Sequence, residues 1–368
     1  MKTILTTVGT SLFTNFSNPN SIKEHYEALE NRTLSKKNEY ESEINHIRKK
    51  VSSFAKENNS CAEMKSIEKI INKYGNEDIN IVFICSDSIL SVLAAEILEQ
   101  VILDINADVK VKIIIINHLS PIDNQKFVKE GLTNLISELE KYCNGYYADK
   151  VLNITGGFKG VIPYLTLWGQ LNKISLNYIF EDSNVLITIP QSPISIDENL
   201  FERYSHIFQD LSNSIEIPKD VFIKKNKLYE GFPTELIYEV TEGNNCIISL
   251  DPLGEIYWRH YESKYFIFYG PQKTINEIDN QKDILRILSE KFWQKEIRKN
   301  KTERKGSHYV YDDGDNPNRI YYFEHEGKLY IYKTFQNEEA GREYINKEIK
   351  KEEILNSSIK KRIEVKHV

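Results

Sequence analysis

Cysteine is scarce in this chain: four in 368 residues, at 61, 85, 143 and 246, with no C-x-x-C pair and no metal-ligand spacing. That excludes a disulfide-stapled secreted module and a zinc finger, and free thiols in the cytoplasm are expected. No apolar run approaches the roughly 20 residues a membrane-spanning helix needs. Only a few apolar residues separate Lys2 from Gly9, so no secretory leader is expected. Positive charge is short as well. Lys and Arg number 48 against 54 Asp and Glu, a net charge of −6 that argues against general nucleic-acid binding. The exception is 291–305, where seven of fifteen residues are Lys or Arg (291, 295, 298, 299, 301, 304, 305). Such a run is either a polyphosphate contact or a solvated helix face. What remains is a chain 40% hydrophobic, with a mean hydropathy of −0.47, long enough for two or three domains.

The stretch that organises the chain is Val151-Leu-Asn-Ile-Thr-Gly-Gly-Phe-Lys-Gly160 with the apolar run 161–171. Val151 to Ile154 reads as the end of a buried strand, and Val161 onward has helical spacing. Between them Thr155, Gly156, Gly157 and Gly160 leave backbone N–H groups bare, with Lys159 the nearby cation. A strand-to-helix turn of this kind suits an anion such as phosphate, although it also serves as plain turn chemistry. It is neither a P-loop nor G-x-G-x-x-G. At the N-terminus, an apolar strand runs into Thr7, Gly9, Thr10 and Ser11. In an open parallel sheet, ligands sit beyond the carboxyl ends of strands, where two such loops would meet.

Thr6-Thr-Val-Gly-Thr-Ser-Leu12, Asn153-Ile-Thr-Gly-Gly-Phe-Lys-Gly160 and Pro163-Tyr-Leu-Thr-Leu167 together resemble a CARF domain, over roughly residues 1–190. These are the Rossmann-like sensors of type III CRISPR systems, which bind cyclic oligoadenylates across a homodimer. The resemblance implies that Gly9, Thr10, Ser11 and the segment Thr155, Gly156, Gly157, Phe158 and Lys159 contact the ring. It also implies an allosteric activator, most readily cyclic tetra-adenylate, and no other cofactor.

The alternation of elements leads independently to an α/β doubly wound sheet over the first ~190 residues. Strands are expected at 78–85, 109–116, 150–154, 174–180 and 185–189, the one at 174–180 ending at Glu181-Asp182. Helices are expected at 89–103 and 124–142, with two more within 17–60. The second strand ends in Ser86-Asp87-Ser88, either a simple N-cap for the following helix or a further ligand contact by Ser86 and Asp87. Pro190 to Ile196 reads as a boundary, placing a sensing domain at 1–192. The segment 193–261 follows as a connector, with helices at 199–212 and 218–230. In it, Leu250-Asp-Pro-Leu-Gly-Glu255 resembles the wing of a winged helix. With few basic residues there, a structural role is expected over DNA binding.

Residues 262–368 read as a third, α+β domain. A strand at 265–269 precedes basic helices over 275–304, three strands at 307–311, 319–323 and 328–333, and a helix at 338–356. Glu324-His-Glu-Gly327 is the hairpin turn between the last two strands. This order, with Asn318-Arg-Ile-Tyr-Tyr-Phe-Glu-His-Glu-Gly-Lys-Leu-Tyr-Ile331, resembles RelE-superfamily toxins. CARF–RelE fusions are ribosome-dependent mRNA interferases, so homodimer, mRNA and ribosome are the partners implied, with no membrane.

Metal-free RNA cleavage needs a base for the 2′-hydroxyl, cations for the phosphorane and an acid for the leaving oxygen. Arg319 matches the family's phosphate-binding arginine. His308 is the candidate base or acid, because its side chain titrates near neutrality; a half-exposed strand residue is the alternative. Lys305, Lys333, Arg342 and Tyr344 complete the candidate set. No clean Lys-x-Lys stands on the 307–311 strand. Tyr309, Tyr311, Tyr321 and Tyr330 are expected to be mostly alternating sheet packing. Three rival readings stay open. Asp313 or Asp315 with Glu326-Gly-Lys328 has the order of a PD-(D/E)-x-K metal nuclease. Arg304 and His308 are spaced nearly as in a HEPN ribonuclease. A non-enzymatic CARF–winged-helix regulator is the third.

Overall fold

The computed structural model describes residues 1–57, 60–75, 78–120, 122–180, 185–213, 217–226, 232–242, 245–314, 316–325 and 328–366. The chain divides into two compact units, Met1–His260 and Tyr261–Val368, and is mixed α/β throughout.

Six strands build the main sheet of the first unit. They are β1 (Lys2–Val8), β2 (Ile79–Ser86), β3 (Lys110–Ile116), β4 (Lys150–Asn153), β5 (Ser175–Ile179) and β6 (Leu186–Ile189). Their order is β3-β2-β1-β4-β5-β6, with the first five parallel and β6 antiparallel to β5. Parallel neighbours demand crossovers, so helices cover both faces and the strands read as nearly continuous apolar runs. Ile4, Val8, Ile81 and Phe83 join one core with Ile47, Val51, Ile67, Ile70 and Leu98. Leu5, Val82, Ile84 and Leu152 join the other with Leu135, Ile136, Leu165 and Trp168.

The helices follow local chemistry. Ser88 caps the helix Ile89–Ile105 by accepting from the Ser91 N–H at 3.2 Å. The helix expected at 124–142 is split: Asn124–Lys126 and Leu132–Cys143 flank a five-residue π turn at Phe127–Gly131. There Gly131 passes so close to His118 that a Cβ would lie 2.2 Å from its carbonyl oxygen, and only glycine fits. Residues 61–77 carry no expected element, yet they hold the helix Ala62–Tyr74, which buries Ile67 and Ile70 and ends at Gly75 with φ +63°.

The remainder of the first unit contains helices Glu198–Arg203, Ser205–Asn213 and Lys219–Asn226. It also holds a small sheet ordered β7-β9-β8, made of β7 (Ile217–Pro218), β8 (Ile237–Glu242) and β9 (Asn245–Leu250). The segment expected to be a wing, Leu250 to Glu255, is instead a helix start. Asp251 accepts from the Gly254 N–H at 2.5 Å and Pro252 opens the helix Pro252–Lys264, the arrangement that Asp at N-cap and Pro at N1 favour. The hairpin of this region is β8–β9, upstream of it.

The second unit is a six-stranded sheet ordered β11-β12-β13-β14-β10-β15. The strands are β10 (Tyr265–Pro271), β11 (Thr302–Lys305), β12 (His308–Asp312), β13 (Arg319–His325), β14 (Lys328–Phe335) and β15 (Ser358–Glu364). Strands β11 to β14 form an antiparallel meander, β10 runs parallel to β14, and β15 closes antiparallel on β10. Two expectations are corrected. Residues 302–305 are a strand rather than the end of a helix, and the single helix expected at 338–356 is two short ones, Glu338–Tyr344 and Lys351–Ser357, before β15. The hairpin residues Glu326 and Gly327, like Asp315, Glu181 and Asp182, lie outside the described residues. Both sheet faces are covered. Phe268, Tyr311, Ile320 and Ile331 pack on Ile278, Ile284, Leu288 and Phe292, while Val310, Tyr321, Phe323 and Tyr332 pack with Tyr344, Ile345, Ile354 and Leu355.

Candidate functional site

In the first sheet the strand order reverses between β1 and β4: β2 and β3 lie to one side, β5 to the other. This switch point is where loops at the carboxyl ends diverge and leave a crevice. The two loops singled out from the sequence meet there. The cleft measures about 370 Å³ and is lined by Gly9, Thr10, Ser86, Gly157, Phe158 and Lys159, among others. Six of the ten expected ligand residues are thus brought together on one surface.

The contact between the loops is close. Gly157 has φ +85°, and a Cβ there would lie 2.7 Å from the Thr7 Cβ. A Cβ on Gly9 would lie 3.0 Å from the Gly157 nitrogen. The Thr7 hydroxyl donates to the Gly156 carbonyl. Beneath the loops Asn153, fully buried, donates to Thr6 Oγ1 and Ser66 Oγ, each at 2.7 Å, and accepts from the Thr155 hydroxyl at 2.8 Å. Thr155 in turn accepts from the Ile179 N–H at 3.1 Å. Glycines therefore allow the approach, and a buried amide fixes its register.

The other four expected residues stand behind the cleft. Ser11 donates to Glu63 Oε2 at 2.6 Å, and Gly156 backs onto the same carboxylate. Thr155 belongs to the Asn153 network. Asp87 accepts from the His118 N–H at 3.0 Å and the Ser120 N–H at 3.2 Å, so its carboxylate ties down the loop after β3 and borders a neighbouring cleft.

Glu63 is the residue that the sequence did not flag. It is 1% exposed, accepts from the Gly9 N–H at 2.8 Å, and touches both glycine loops from the helix Ala62–Tyr74. An acid in the first turn of a helix reads as a complement to the helix dipole, and nothing local places it under a loop 54 residues away. Nearby, burial and then the charge of Glu63 push the Cys61 thiol well above its ordinary value, which disfavours the thiolate.

In the second unit the six catalytic candidates fall into more than one group: Arg319 and Arg342 both reach Glu338, at 3.8 and 2.7 Å, while the His308 ring lies 5.5 Å from that of Tyr344. His308 is fully buried: Nδ1 lies 2.7 Å from the Tyr332 hydroxyl and Nε2 2.7 Å from the Lys347 carbonyl. It is a satisfied core side chain rather than the half-exposed one expected from a strand position. Arg319, 8% exposed, pairs with Asp312 at 2.9 Å and donates to the carbonyls of Asn316 and Asn318. Lys305 pairs with Glu303, and Arg342 with Glu338. Lys333, paired with Glu277 at 2.8 Å, and Tyr344 do meet. Together with Lys273, Phe335 and Lys347 they line a groove of about 560 Å³. Burial raises the Tyr344 phenol above its ordinary value, which keeps it protonated and able to donate.

The basic run 291–305 is not one cationic face. Lys291 pairs with Asp313 at 2.6 Å, and Arg298 is buried against the carbonyls of Phe292 and Trp293. Arg304 and His308 lie on adjacent strands, not on a helix. Asp313 is buried in its pair with Lys291, and Glu326 lies outside the described residues. Among the described residues no three His, Cys, Asp or Glu side chains cluster to hold a metal, and no helix is long and apolar enough to cross a membrane. No curated protein matches the chain. Residues 58–192, which run from the Glu63 helix through β2 to β6, match the model of a CRISPR-associated protein family, Cas_APE2256, and it is to that family that this segment is similar.

Proposed function

We propose that the chain is a cyclic oligoadenylate-activated ribonuclease of type III CRISPR defence. The observation that carries the reading is the convergence of Gly9–Thr10 and Gly157–Lys159 at the switch point of a parallel sheet. A cleft of about 370 Å³ sits at the small end of ligand pockets, so it takes part of a ring, and two copies of the chain enclose the whole. Lys159 and the loop N–H groups of 157–159 supply charge and donors for a phosphodiester.

The RelE-like reading of the second unit rests on topology. A strand, the helices Gln272–Asp279, Lys282–Ile287 and Lys295–Asn300 and a π turn at Leu288–Phe292 precede a meander whose last strand, β14, lies parallel beside β10. Cleavage would proceed by 2′-hydroxyl attack without metal. Lys333 and Tyr344 offer the groove a cation and a phenolic donor, and the rings of Phe335 and Tyr344 offer stacking for a base. His308 backs this groove from the interior, its ring 5.5 Å from that of Tyr344. The regulator reading draws on one observation, the small β7-β9-β8 sheet whose first strand lies between the helices Ser205–Asn213 and Lys219–Asn226 and whose hairpin follows them, an order that resembles a winged helix. It anticipates ligand-controlled DNA binding and no RNA cut.

Isothermal calorimetry with cyclic tetra-adenylate tests the ligand half. The expected result is one ring per two chains, with Lys159→Ala weakening binding about ten- to a hundredfold, the loss of a charge-assisted hydrogen bond. Absence of binding, or a Lys159→Ala variant that binds as well as the parent, would contradict it.

A further inference from the structure

The donors of the first loop are already engaged. The Gly9 N–H points at Glu63 Oε1 and the Ser11 hydroxyl at Glu63 Oε2, so neither is available to a phosphate in this arrangement. The carboxylate lies directly behind the cleft floor, with Gly9 between it and the ligand space. Among the described residues no lysine, arginine or histidine pairs with it; the Gly9 N–H, the Ser11 hydroxyl and the first turn of its own helix are what compensate it. The charges of the cleft wall are few: Lys159 is the one cation among its described lining residues, and Glu30 is an acid.

We infer that Glu63 is a specificity-determining residue: it makes this cleft accept phosphodiesters, each a monoanion, and reject phosphomonoesters, which approach two charges near neutral pH. The inference rests on the ligand reading above and deepens it. A buried charge acts through protein rather than water, so screening is weak. At a separation of about 8 Å and an effective dielectric of about 20, each additional negative charge on the ligand is disfavoured on the order of 30-fold. A ring of internal phosphodiesters avoids that cost entirely. A linear oligoadenylate ending in a 3′-phosphate, the form left when water opens the ring at a P–O5′ bond and frees a 5′-hydroxyl, bears it. The cleft therefore separates an intact activator from its opened form by charge, in addition to shape. Glu63 acts at a distance through Gly9 and is not a catalytic residue.

Glu63→Gln removes the charge and keeps the shape, since Oε1 still accepts from Gly9 and the amide donates to the Ser11 oxygen. Binding is measured for three probes: cyclic tetra-adenylate, linear tetra-adenylate with a 3′-phosphate, and the same chain with that phosphate as its methyl ester. In the parent, the methyl ester should bind at least tenfold tighter than the free 3′-phosphate. In Glu63→Gln that ratio should fall to within about threefold of unity, and ring affinity should rise on the order of 30-fold, because the nearest ring phosphate sheds the same repulsion. Equal binding of the two linear probes by the parent would overturn the inference without any variant, and so would an unchanged ratio in a folded Glu63→Gln. If no probe binds the parent, the ligand reading fails and the inference with it; ring binding with no charge discrimination sinks the inference alone.

Discussion

Replacing Gly157 by alanine tests the geometry on which the ligand site depends. The residue has φ +85°, where an L side chain is strained by roughly 1–2 kcal/mol. The added Cβ would also lie 2.7 Å from the Thr7 Cβ, inside contact distance, and relieving such overpacking costs about 1–3 kcal/mol. Thr7 cannot simply turn away, because its hydroxyl is bonded to the Gly156 carbonyl and its backbone is paired in β1. The sum is about 2–5 kcal/mol. For a unit of this size that lowers the melting midpoint by about 5–15 °C. Part of the strain will be relieved by parting the two loops, so ring affinity should fall at least tenfold. Gly75→Ala is the control: it has positive φ and nothing within 4 Å of the added Cβ, so it strains the backbone without moving the cleft. Differential scanning fluorimetry and ring titration on both variants read the two effects. A Gly157→Ala protein that melts within a degree of the parent and binds the ring equally would refute the packing of the loops.

Arg319→Ala leaves Asp312 without its partner and should destabilise the second unit by about 3–5 kcal/mol, read by thermal melting. Arg319→Ala with Asp312→Ala should recover most of that stability; recovery of RNA cleavage as well would deny Arg319 any part in the reaction. Burial raises the proton affinity of Glu96, but its hydrogen bonds to Lys37 and Arg48 outweigh burial and hold the carboxyl below its ordinary value. A depressed carboxyl contributes stability above its unfolded value and loses it as pH falls through the folded one. Glu96→Gln should therefore lower stability at neutral pH and flatten its decline below about pH 4.3.

The first sheet was legible because parallel strands buried on both faces are long apolar runs separated by capped helices. The strands at 79–86 and 110–116 fall within a residue or two of the runs that mark them. The glycine loops were legible because only glycine tolerates so close an approach. Glu63 was not, because its role is set by a contact across 54 residues that no local pattern encodes. His308 was misread for a similar reason. A strand position gives an even chance of facing the core, and the groups that satisfy its ring, the Tyr332 hydroxyl and the Lys347 backbone carbonyl, come from 24 and 39 residues further on. The basic run at 291–305 looked like one surface because charge is read along the chain. In three dimensions Arg298 turns inward and Lys291 pairs with Asp313. The end of the chain departed most. Strand β15 is charged, with few apolar residues, and forms against the open edge that β10 offers.

The central claim is that ligand at the first sheet governs RNA cleavage by the second unit. The most direct measurement is mRNA cleavage in a translating extract, with and without cyclic tetra-adenylate, beside naked RNA and lanes containing EDTA. The account expects cuts that require both ligand and ribosomes and that EDTA leaves unchanged. Cleavage of naked nucleic acid that EDTA abolishes, or no cleavage in any lane, would contradict it.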